Sequence, residues 1–217
     1  MQIIELKSRK LALLALAVTL GGCGASAAGP PPTAPAPVAV GGADMSRFTR
    51  ADVEFMSAMI GHHAQALTMA SMAPTHGAAS SIQILAGRII NAQQDEIKLM
   101  QQWLRDRNQP VPDGSPDGAH AAHHHAGHEA MPGMLTPAQL QELDAARGKA
   151  FDELFLKYMI QHHRGAIAMV DALVATPGAA QHDATFKIVS DINVDQATEI
   201  ERMQKMLFDL VIGKEAP

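Results

Sequence analysis

Apolar residues recur every three to four positions over residues 49–72, 80–105, 137–176 and 184–212, the spacing that gives a helix one buried face. No stretch alternates in the period-two manner of a strand, so the pattern predicts four helices and an all-α fold. Thr136, Pro137 and Gln139 mark the third start, with a side-chain acceptor at the N-cap, proline at N1 and glutamine at N3. Pro74 and Pro177 end the first helix of each pair, because proline inside a helix removes a backbone bond and crowds the preceding turn. Gly148 lies within the third segment and is expected to bend it. A single helix pair cannot cover its own apolar face, so two pairs predict a four-helix bundle.

The two pairs repeat one another. Asp52, Phe55, Met59, Ile60, His62, His63, Ala66 and Met69 recur as Asp152, Phe155, Met159, Ile160, His162, His163, Ala166 and Met169. Eight identities in eighteen residues stand against about one expected from composition. At a slightly larger offset, Ile89, Gln93, Glu96, Ile97, Met100 and Leu104 correspond to Ile192, Gln196, Glu199, Ile200, Met203 and Leu207. The folded part is thus one domain over 47–212, with repeat one at 47–107, a connector at 108–134 and repeat two at 135–212.

The ends and the connector differ in composition. Lys7, Arg9 and Lys10 precede a short apolar run and then Leu20-Gly21-Gly22-Cys23. These are the parts of a bacterial lipoprotein signal over 1–22, with Cys23, the one cysteine in the chain, as the residue to be lipidated. Residues 23–46 are rich in Pro and Ala and read as a tether. This predicts export across the inner membrane and a lipid-anchored protein of the periplasm or outer membrane. The formal charge is −5, and the cationic leader makes the remainder more acidic still, which argues against nucleic acid as a partner.

With about 100° per residue and Met56 as zero, His63 lies near −20°, in the middle of the apolar face, and His62 lies near −120°, on its shoulder. His162 and His163 share that geometry. Buried imidazoles need partners, and four arriving by a repeat among methionines predict metal ligation by His62, His63, His162, His163, Met59, Met69, Met159 and Met169. Imidazoles suit Cu(II), Zn(II) and Ni(II), thioethers add Cu(I), and copper uses both. Protons should displace an imidazole-bound ion below about pH 6.5. Gln93, Glu96, Gln196 and Glu199 either orient the imidazoles, supply oxygen ligands or lie on the surface. Asp52 and Asp152 either accept from a ring N–H or cap helix starts. In the connector, His120, His123, His124, His125 and His128, followed by Met131 and Met134, make a second, flexible metal-capturing tract.

The stretch from Phe155 to Met169, with Leu135-Thr136-Pro137 before it, resembles a bacterial secreted family first catalogued as domain of unknown function 305. That family carries the His-His motif in one or two copies and includes CopM-like copper-binding proteins. The resemblance spans about residues 46–211 and implies a ferritin-like four-helix bundle that binds copper outside the cytoplasm, with the histidine pairs and methionines above in the family's motif positions. Gly61 departs from the pattern, where many relatives have proline or a charged residue, and is expected to loosen the first helix. The leading function is a non-enzymatic envelope protein that binds copper for tolerance, buffering or delivery, with envelope copper-handling proteins as partners. One alternative is a ferritin-like metal-dependent oxidoreductase, although its Glu-x-x-His motif is missing from the chain. The other is a non-catalytic helical interaction domain without metal.

Overall fold

The computed structural model describes residues 48–114 and 131–213. The signal, Cys23, the tether and connector residues His120, His123, His124, His125 and His128 lie outside the described residues. Five helices occur among those described: α1 (Arg50–Met72), α2 (Ser80–Asp106), α3 (Pro137–Ala145), α4 (Lys149–Val174) and α5 (Asp183–Val211). The hairpins α1/α2 and α4/α5 pack together chiefly through α1 and α4, while α2 and α5 meet over a smaller area. The bundle is therefore the expected four helices with α3 added ahead of the second hairpin.

That addition corrects the expected single helix over 137–176. Gly148 does more than bend it: at φ 57°, ψ −136° it occupies a region closed to residues with a Cβ, and it ends one helix and begins the next. Its N–H donates to the His76 carbonyl at 2.9 Å. His76 in turn bonds through Nε2 to the Asp144 carbonyl and carboxylate, so the α1–α2 turn fixes the break. The Thr136/Gln139 capping box forms as the sequence predicts, and a second one, Thr49 with Asp52, starts α1.

Two aspartates join the hairpins reciprocally. Asp52, near the start of α1, accepts from Thr49 at 2.8 Å and from the Ala180 N–H, beyond the end of α4, at 2.7 Å. Asp152, near the start of α4, accepts from the Ala79 N–H, beyond the end of α1, at 3.2 Å. Among the described residues neither carboxylate bonds a histidine ring; each instead holds a turn of the other hairpin. The pattern also fixes α1 and α4 as antiparallel neighbours. Burial pushes the Asp152 pKa up, and the Ala79 N–H offsets part of that rise.

Two apolar clusters fill the bundle. One takes the second half of α1, the first halves of α2 and α4 and the later part of α5, including Met69, Leu85, Phe151, Phe155, Met159 and Met203. The other takes the opposite halves, including Phe55, Met59, Met100, Trp103, Val170 and Ile192. Every long helix passes from one cluster to the other.

Candidate metal centre

Where the helices cross between clusters, each carries polar residues that are buried: His62 and His63 on α1, Gln93 and Glu96 on α2, His162 and His163 on α4, Gln196 and Glu199 on α5. By side chain Glu96 is 11 % and Glu199 16 % exposed, while the other six residues are at most 1 % exposed. The result is a polar belt around the middle of the bundle. His62 sits on the shoulder of the α1 stripe because that shoulder faces the other hairpin, and its ring lies 3.8 Å from that of His162, tilted by 36°. His63 and His163 point instead at their own hairpin partners.

The nitrogen chemistry of the belt follows from its hydrogen bonds. Nε2 of His62 donates to the Pro132 carbonyl at 3.0 Å, and Nε2 of His162 donates to the His62 carbonyl at 3.0 Å. Nε2 of His63 donates to Glu96 at 2.5 Å, and Nε2 of His163 donates to Glu199 at 2.6 Å. All four acceptors are oxygens, so each ring donates from Nε2, and a ring that is neutral then has a bare lone pair on Nδ1. No Nδ1 has a hydrogen-bond partner. Among the described residues, ten buried side-chain polar atoms lack a partner, and eight of them belong to the belt: the four Nδ1 atoms, both amide atoms of Gln93, Oε1 of Glu96 and Oε1 of Gln196. An unsatisfied buried polar atom costs about 1–3 kcal/mol, so such a concentration calls for a ligand.

Charge is kept off the paired rings. Burial, then the neighbouring His63, lowers the His62 pKa to about 3, only partly opposed by its bond to Pro132. Burial and the adjacent His62 hold His162 well below its ordinary value. Neutral imidazole is the form that ligates metal, and it persists here well below pH 6.5. The sequence-based expectation of proton displacement near that pH therefore does not apply to His62 and His162.

The predicted methionines lie in the apolar clusters on either side of the belt or against them. Met59 lies in one apolar cluster and Met169 packs against it, while Met69 and Met159 lie in the other. Among the described residues no three His, Cys, Asp or Glu side chains form a group that could hold a metal ion. Any ion in the belt would have to be held by fewer of these groups, with thioethers completing the set.

The end of the connector is fastened over the His62/His162 pair. Besides accepting from His62, it is gripped by Gln65, whose amide exchanges two bonds with the Leu135 backbone at 2.7 and 3.0 Å, and by Gln161, which donates to the Gly133 carbonyl. Gly165 makes the close approach possible: a Cβ there would fall 1.9 Å from the Pro132 oxygen. Met134 is buried and Met131 half-buried in this segment, the latter beside Gly61, where the helix continues without a break. Sequence reasoning missed Gln65, Pro132 and Gly165. A signal was present, because Gln65 and Gly165 differ at equivalent positions flanked by the matching Ala66 and Ala166.

A family model described as "Domain of unknown function (DUF305)" matches residues 52–207. The chain belongs to this family. The fold is similar to that of a DUF305 fragment from Deinococcus radiodurans, at 30 % identity over 74 % of this chain and 97 % of that one, TM-score 0.59. It is also similar to CopM in a Cu(II)-bound form, at 30 % identity over 73 % of this chain and 96 % of that one, TM-score 0.57. CopM in a Cu(I)-bound form matches at 28 % identity over the same shares, TM-score 0.55. No curated protein is significantly similar to the chain. The DUF305 chain thus shares its helical architecture with CopM, a protein solved with copper.

Proposed function

We propose that this DUF305 protein is a metal-binding protein of the bacterial envelope that takes copper as cargo into the mid-bundle belt, for tolerance, buffering or delivery. The observation that carries the reading is the set of four buried imidazoles whose Nε2 atoms are all engaged and whose Nδ1 atoms are all free. A hydrogen bond on one ring nitrogen fixes the tautomer and raises the basicity of the other, which is how ligating histidines are usually held. Flanking thioethers favour Cu(I), and imidazole accepts either oxidation state. Zn(II) and Ni(II) suit the nitrogens but not the methionines. Similarity to CopM solved with Cu(I) and Cu(II) supports the same choice.

The N-terminal signal and Cys23 support export and a lipid anchor, and the histidines of 120–128 support a second, weaker capture tract. The test is metal content of envelope-purified protein in four forms: wild type, His62, His63, His162 and His163 changed to Ala, the five connector histidines changed to Ala, and both sets together. Copper retained by the connector variant and lost from the belt variant after mild chelation is the expected result. Equal retention by the belt variant and wild type would remove the belt from the function.

A further inference from the structure

Between α2 and α5 lies an open cleft of about 350 Å³, its walls carrying Asp95, Glu96 and Leu99 from one helix and Asp191, Val194 and Asp195 from the other. We propose that this acidic cleft is the port through which a hydrated divalent transition-metal cation reaches the polar belt; the proposal rests on the reading that the belt holds metal.

Glu96 connects the two regions. It lines the cleft, is 8 % exposed, bonds His63 through Oε2 and leaves Oε1 buried without a partner. Glu96 thus stands between the cleft and the belt, with its unpartnered oxygen buried one side chain away from a belt imidazole. Two of the outer carboxylates have their own lysines, Asp95 with Lys98 at 2.8 Å and Asp191 with Lys187 at 2.5 Å. These ion pairs cancel much of the field of Asp95 and Asp191 at a distance, so the negative field of the cleft rests mainly on Asp195 and Glu96. Asp195 lies near enough to Glu96, Glu199 and Asp191 to feel their like charges.

The opposite approach to the belt is obstructed. At the α1–α4 seam the connector end lies against Gly165, with its backbone bonded to His62, Gln65 and Gln161. The α2–α5 seam is the looser of the two and carries the charge. Because the carboxylates do not converge as a ligand set, the cleft attracts and passes on an ion rather than storing it. A net negative field at the cleft raises the association rate of a cation and is erased by salt.

The test is stopped-flow loading of the full chain with aqueous Cu2+, read by quenching of Trp103, the one tryptophan in the sequence. The belt phase is defined as the phase lost in His62→Ala/His162→Ala, or in His62→Gln/His162→Gln should the alanine pair lose its circular dichroism. Asp191→Asn/Asp195→Asn should slow that phase about tenfold at about 10 mM salt and match wild type at about 1 M, where the screening length drops to about 3 Å. Final copper per chain should not change. Glu54→Gln/Asp171→Asn, the same charge change on exposed positions elsewhere, should load at the wild-type rate. A histidine-dependent phase that is indifferent to Asp191 and Asp195, or that slows equally in the control pair, overturns the port alone. Absence of any histidine-dependent phase in wild type overturns both the port and the belt.

Discussion

Gly165→Ala should be among the most damaging single-methyl additions to this protein. The new Cβ would fall 1.9 Å from the Pro132 oxygen, 2.4 Å from its carbonyl carbon and 2.6 Å from Gly133 Cα. All three are backbone atoms, so no flexible side chain can swing aside, and the Pro132-Gly133 segment must lift off α4. Overpacking of this kind costs about 1–3 kcal/mol. Lifting also breaks the His62–Pro132 bond at 3.0 Å and the Gln161–Gly133 bond at 3.3 Å, at about 1 kcal/mol each. The helix gains about 0.5–1 kcal/mol from losing a glycine, which leaves a net loss of about 2–4 kcal/mol. For a domain of this size that lowers the melting temperature by on the order of 10 °C. Gly61→Ala is the matched comparison, because its Cβ would meet only Met131 Cε, at an ordinary 3.9 Å, and the variant should melt at or slightly above wild type. Thermal unfolding followed by far-ultraviolet circular dichroism decides the matter. If Gly165→Ala melts as high as Gly61→Ala, the docking of the connector end on α4 is wrong.

Other outcomes can be stated more briefly. His62 has a folded pKa of about 3 against an ordinary 6.5, so the unfolded chain binds its proton first. Its contribution is full above about pH 6.5 and is lost as pH falls toward about 3; urea midpoints should decline over that window, and His62→Gln should flatten the decline. Asp52→Ala and Asp152→Ala each strip a backbone N–H of its cross-hairpin acceptor and should cost about 1–3 kcal/mol in urea unfolding; an unmoved midpoint would mean the ties contribute nothing. Met59→Leu with Met159→Leu should cost less than about 1.5 kcal/mol per site in stability yet weaken Cu(I) retention relative to Cu(II). Unchanged Cu(I) retention would assign these thioethers to packing.

The fold was legible because its signals are local and repeated. Periodicity, the Thr136 capping box and the duplicated Asp-Phe-Met-His-His-Met pattern define the hairpins and their kinship. The break at Gly148 escaped because a glycine in an apolar-periodic run looks like a tolerated defect, whereas its role depends on His76, distant in sequence, reaching the turn. His63 in the middle of the apolar face and His62 on its shoulder were legible from helix geometry, but that the shoulder faces His162 was not, because one helix wheel contains no second hairpin. The sequence also offered Glu96 and Glu199 only as one alternative among three. Their bonds to His63 and His163 depend on how deeply two helices are set against each other, which spacing along one helix does not encode. The division of the core into two apolar clusters was in the sequence too, as polar pairs near the midpoint of every long helix, yet it becomes visible only when the four helices are laid side by side.

The reciprocal aspartates have a consequence for how such a chain can be taken apart. Cut between the repeats, each half keeps an acid with no turn to hold and a turn with no acid to hold it, together with a histidine ring deprived of its stacking mate. Two copies of the same half, brought together head to tail about a twofold axis, would satisfy every one of those vacancies. The covalent link adds to these the bonds of its own end, through Pro132 to His62 and through Gly133 to Gln161. It also adds freedom to let them differ, so that glutamine stands on one side and glycine on the other, and a single strand of connector can lie across an otherwise even-handed seam.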